Sequence, residues 1–199
     1  MRLLLDTTYL LPIIGISIKG LPEDALIKLI KDGHQISISD VTIFELSAKG
    51  AKYIATGSLT AERVSRGIRA IVYDDRILRI PIHDTTILLT AFKLRKSLSD
   101  FIDCLILSSA INRSDILVTE DEDIQNLRKK KEFQELLKTI NPKFRIQTLI
   151  EILPLTRLKS IRDLQDVTLT PCQSSDINYS VSMSARRAFL PKYSAKNKS

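Results

Sequence analysis

The chain has 199 residues, 44% apolar and 27% charged, proportions that exclude a wholly disordered or collagen-like polymer. Thirty Lys and Arg against 23 Asp and Glu leave a net charge of +7, which suits a polyanionic partner but says nothing about fold. The 2 cysteines, Cys104 and Cys172, are far apart and match no zinc spacing, so a disulfide framework is not expected.

In chain order, Leu3, Leu4 and Leu5 form a short apolar run stopped by Asp6, the pattern of a strand buried on both faces. The start therefore reads as a strand rather than a signal peptide, and no run is long enough to span a membrane. Helices are expected over 9–18 and 23–32, the second behind Pro22 and closed by Gly33. Residues 35–39 alternate as a second strand, and Asp40 is placed to cap a helix over 41–55. Thr60 caps a helix over 61–73, a strand follows at 78–82, and helices cover 84–97 and 100–112. A strand at 115–119, a helix over 122–138 and a strand at 144–148 complete the pattern. Strands alternating with helices predict an α/β fold with a parallel sheet of about four to five strands between helical layers.

After Pro154 the periodicity weakens, with at most one short helix or turn over 154–166 and then a run rich in Ser, Thr, Asn and Lys. Residues 1–153 hold 22 basic and 20 acidic side chains, whereas 154–199 hold 8 and 3. Most of the positive excess therefore belongs to the extension, including Arg186, Arg187, Lys192, Lys196 and Lys198. The expected organisation is a main domain over 1–153 and a basic extension over 154–199.

In open α/β sheets, ligands bind beyond the carboxyl ends of the strands. Asp6 ends the first strand, Glu45 lies early in the helix after the second, Asp103 opens the helix at 100–112, and Asp121 follows the strand at 115–119. Singly, each reads as an ordinary loop or capping carboxylate. Together on one sheet edge, they would repel one another unless a cation neutralised them. An oxygen-only donor set suits Mg2+ or Mn2+.

The segments LLLDTTYL (3–10), TIFEL (42–46), DFIDCLILSSA (100–110) and ILVTEDEDI (116–124) resemble, in order, the four motifs of PIN-domain ribonucleases. The spacing is similar to the VapC-type branch in an archaeal-type version, and the resemblance spans about residues 1–150. It implies a three-layer α/β/α PIN-like fold with Asp6, Glu45, Asp103 and Asp121 as catalytic and metal-holding acids. Thr119 matches the hydroxyl residue before the last acidic cluster, and Thr7 and Thr8 stand after the first Asp. Asp100 reads as an N-cap, and Asp123 as a supporting acid or a cap for the following helix. The implied chemistry is in-line hydrolysis of RNA by a metal-activated water, leaving a 5′-phosphate and a 3′-hydroxyl. With neither a signal peptide nor a membrane span expected, the location expected is cytoplasmic; the resemblance also implies a homodimer and a toxin whose partner is a small antitoxin protein. The extension over 154–199 is equally compatible with a role in RNA maturation or decay.

Arg63, Arg66 and Arg69 fall on neighbouring positions of one helix face, where they either contact the RNA backbone or form a solvated surface. Tryptophan is absent and aromatics make up 6%, so base-stacking platforms are not expected. His34 and His83 read as structural or loop residues and Cys104 as core. Two other readings stand beside the nuclease: a PIN-like RNA-binding or scaffold module without catalysis, and an aspartate-nucleophile phosphatase. The phosphatase requires a second Asp two residues after Asp6, where Thr8 stands.

Overall fold

Three consecutive leucines locate the sheet in the computed structural model, which describes residues 1–153. All three are fully buried in β1 (Arg2–Leu5). Because side chains alternate along a strand, Leu4 packs into one helical layer while Leu3 and Leu5 pack into the other. The expected strands form as β2 (Gln35–Ser39), β3 (Ile77–Ile80), β4 (Ile116–Val118) and β5 (Arg145–Gln147). They make a five-stranded sheet of order β3-β2-β1-β4-β5 in which every pairing is parallel. Leu5 of β1 lies opposite Val118 of β4, and β4 alternates between the layers as β1 does.

One layer contains α1 (Leu11–Ile14), α2 (Ala25–Lys31), α3 (Asp40–Ala55), α4 (Ala61–Val72) and, late in the chain, Leu149. The other contains α5 (Thr85–Leu94), α6 (Phe101–Arg113), α7 (Glu122–Leu127) and α8 (Lys131–Ile140), with Cys104 fully buried in its core. A last short helix, α9 (Leu149–Ile152), follows β5. The result is the expected three-layer α/β/α arrangement. Its chain runs from β1 outward to β3, then returns to β4 on the other side of β1. The crevice beyond the ends of β1 and β4 is thus the switch point of the sheet, where ligands bind in such folds. Among the described residues, no helix is long and apolar enough to cross a membrane.

Three local expectations are corrected. Residues 9–18 do not form one helix; a 3-10 turn at Thr7–Leu10 leads into the four-residue α1. Pro12 has no N–H to continue a longer ladder, and Gly15 ends α1 in the left-handed region at φ 99°. Residues 122–138 do not form one helix either. On a continuous helix Ile124 and Leu127 would face about 160° away from Phe133, Leu136, Leu137 and Ile140. Lys130 is extended instead, and the break turns both apolar faces into the same core. Asp40 begins α3 rather than capping it, with Ser39 in the cap position. The extension, with Cys172 and its basic cluster, lies outside the described residues.

Close approach between helices depends on missing side chains. A Cβ at Gly67 would sit 2.5 Å from the carbonyl oxygen of Ile13, and backbone cannot swing aside as a flexible side chain can. Gly67→Ala should therefore lower stability by about 1–3 kcal/mol by prising α4 from α1, as overpacking generally does. Urea denaturation followed by circular dichroism checks this; an unchanged midpoint would show that the layer has slack.

Candidate active site

β1 delivers Asp6 to the crevice and pairs one residue further, the Asp6 amide donating to the Val118 carbonyl at 3.1 Å. The Asp6 side chain is buried and held on both oxygens. Oδ1 accepts the Thr7 amide at 2.6 Å, and Oδ2 accepts the Thr119 hydroxyl at 2.7 Å. Thr119, fully buried at the end of β4, also accepts the Asp121 amide at 3.1 Å. One hydroxyl thus joins β1 to the start of α7.

Asp121 is itself the N-cap of α7, its Oδ1 accepting the Ile124 amide at 2.9 Å. Asp123 is not the cap; it lies exposed in the first turn. Asp103 lies in the first turn of α6, behind the Asp100 cap that accepts the Ile102 amide at 2.7 Å, as expected of Asp100. Glu45 lies in the second turn of α3. Its Oε2 accepts a short hydrogen bond from the Thr7 hydroxyl, and its Oε1 is paired with Lys49 Nζ at 2.8 Å. Thr8 is partly buried beside these groups in sequence.

The acids share one electrostatic field. Burial pushes the Asp103 carboxyl up to about 7, and the charges of Asp100, Asp121, Asp6 and Glu45 push in the same direction. Burial also raises Asp6, with Glu45 adding to it; the Thr119 and Thr7 hydrogen bonds and the charge of Lys49 oppose the rise. Asp103 therefore feels Asp6, Glu45 and Asp121, and Asp6 feels Glu45, although the four come from separate elements.

Among the described residues, no three Asp, Glu, His or Cys side chains form a ready-made metal cage. The chemistry of the donors nevertheless fits a hard divalent ion: all are carboxylate oxygens, and their mutual repulsion is the charge such an ion would relieve. The buried hydroxyl of Thr42, one turn before Glu45, has no hydrogen-bond partner. Such an orphan marks a place where a water or ligand atom would be welcome.

Three features were not anticipated from sequence. Lys49 joins the site by i, i+4 pairing with Glu45, a spacing visible in the sequence once Glu45 is singled out. Glu120, inside the acidic run, turns away to accept the Tyr9 hydroxyl at 2.7 Å and the Leu149 amide at 3.0 Å. Burial, with Glu120 alongside, pushes the Tyr9 hydroxyl far up and keeps it a donor. Among the arginines, Arg63 donates to the Ile13 carbonyl at 2.6 Å and so ties α4 to α1, while Arg66 and Arg69 are exposed.

The family profile of the PIN domain matches residues 3–130. No curated protein matches the chain at a significant level. Of solved structures, the VapBC2 complex of Rickettsia felis bound to a DNA fragment from its promoter is similar at 19% identity and a TM-score of 0.46. The match covers 74% of this chain and 98% of that one. The DNA-bound VapBC of Salmonella typhimurium is similar at 23% identity and a TM-score of 0.47, covering 75% and 98%.

The raised Asp103 carboxyl has a consequence for stability. An unfolded aspartate loses its proton near 3.8, the folded one at about 7, so between those values the folded chain binds the extra proton. Stability from this group is fully present below about 3.8, falls as pH rises from there, and is lost by the folded value of about 7. Metal-free protein should therefore be less stable than Asp103→Asn at about pH 7.5, and the gap should narrow steadily as pH falls and close only below about 3.8. Paired urea titrations at several pH values check it; a gap independent of pH would mean an ordinary carboxyl.

Proposed function

The chain belongs to the PIN-domain family, and on that premise we propose that it is a divalent-metal-dependent endoribonuclease acting at Asp6, Glu45, Asp103 and Asp121. The observation that supports this most is the linkage of these acids beyond the ends of β1 and β4: Thr7 holds both Asp6 and Glu45, and Thr119 holds both Asp6 and the Asp121 amide. A phosphodiester brings further negative charge, so such a site admits it only with a cation in place. Asp6, Asp103 and Asp121 would hold Mg2+ or Mn2+, with Glu45 joining directly or through water. When bound, the ion supplies charge neutralisation, a water of lowered pKa and support for the departing 3′-oxygen.

The chain's own residues do the positioning. Thr7 and Thr119 hold Asp6 from both sides, Thr7 and Lys49 hold Glu45, and the α7 cap orients Asp121. Exposed Arg66 and Arg69 are proposed contacts to the RNA backbone, with Arg63 fixing the helix that carries them. The VapC-like order of the motifs supports a further reading as a cytoplasmic, homodimeric toxin restrained by a small antitoxin protein.

One experiment separates nuclease from scaffold. Wild type with Mg2+ or Mn2+ should cleave single-stranded RNA, a chelator should abolish cleavage, and Asp6→Asn or Asp103→Asn should lower the rate by roughly 10²–10³-fold. Equal rates in all three proteins would sink the assignment. Copurification of a short protein encoded next to this one, with loss of cleavage in the complex, would carry the toxin role.

A further inference from the structure

Both oxygens of Glu45 are already engaged, Oε2 by the Thr7 hydroxyl and Oε1 by Lys49 Nζ at 2.8 Å. An i, i+4 pair on a solvated helix contributes little and invites no interpretation. This one differs in its surroundings. The Glu45 side chain is 20% exposed against 41% for Lys49, so the ammonium reaches inward from solvent to a largely covered carboxylate. Through Thr7, that carboxylate is one residue from Asp6, and the positive charge of Lys49 is felt by Asp6.

The neutralisation is one-sided. The charges that act most on Asp103 are negative, from Asp100, Asp121, Asp6 and Glu45. The Glu45 end of the site therefore has a resident cation, whereas Asp103 has no ion pair among the described residues. We infer that Lys49 is a built-in counter-ion that competes with the divalent metal for Glu45, so that a positioning residue of the chain sets how tightly the site takes its metal. The inference rests on the metal-site reading above. With Glu45 given over to a divalent ion, the Lys49 ammonium, already partly in solvent, would be free to meet the phosphodiester.

Mn2+ binding to the full-length protein, followed by electron paramagnetic resonance and calorimetry, tests this without reference to activity. Lys49→Met should tighten Mn2+ binding roughly tenfold by removing the competing charge. Lys49→Arg should keep the wild-type affinity, and Lys52→Met, an exposed change on the same helix, should do likewise. In a Glu45→Gln background the Lys49→Met effect should vanish, because the two residues act as a pair. If Lys49→Met binds Mn2+ as wild type does, or more weakly, or if Lys52→Met tightens binding equally, the inference is overturned while the metal site stands. If wild type itself binds no Mn2+, the metal-site reading falls and takes this inference with it.

Discussion

The hydrogen bond from the Thr119 hydroxyl to the Asp6 carboxylate is the contact on which the crevice depends. It crosses the switch point of the sheet, where β1 and β4 are neighbours although 110 or so residues separate them in the chain. Burying an aspartate this deeply is costly unless its oxygens are satisfied. Here each oxygen has a donor, one from the turn that follows β1 and one from the end of β4. The same hydroxyl accepts the Asp121 amide, so the start of α7 is set by the group that holds Asp6.

Charge explains the rest of the crevice. Asp6, Glu45, Asp103 and Asp121 are brought into one field, and the half-buried Asp103 bears the consequence, with its carboxyl pushed up to about 7. Neighbouring acids are sorted by hydrogen bonding rather than by composition. Asp100 caps α6, Glu120 braces Tyr9 against the start of α9, and Asp123 stays in solvent. The near neutrality of residues 1–153 therefore conceals a local concentration of negative charge at one sheet edge.

Much of the fold was legible because it rests on local signals. A leucine run ended by Asp, alternating strands and capped helices identify β1, β2, α4 and α6 close to their observed limits. The break between α7 and α8 was not legible, since neither Gly nor Pro marks it; it exists because two apolar faces must reach one core. The shortened α1 was half-visible in Pro12 and Gly15, whose joint effect appears only with the turn that starts at Thr7. In the crevice, the four acids stood out by position relative to strand ends, and Lys49 did not, because an i, i+4 lysine is ordinary until its partner is known to be covered.

The sequence by itself determined the parallel three-layer fold and the order in which the acids enter it, because hydrophobic periodicity and chain order decide which strand ends share an edge. Only the tertiary structure decided which acids bear on Asp103 and which are satisfied by caps, hydroxyls or Lys49. The reason is physical: a carboxylate's role depends on its burial and on donors from distant segments, and neither quantity exists until β1 and β4 are side by side.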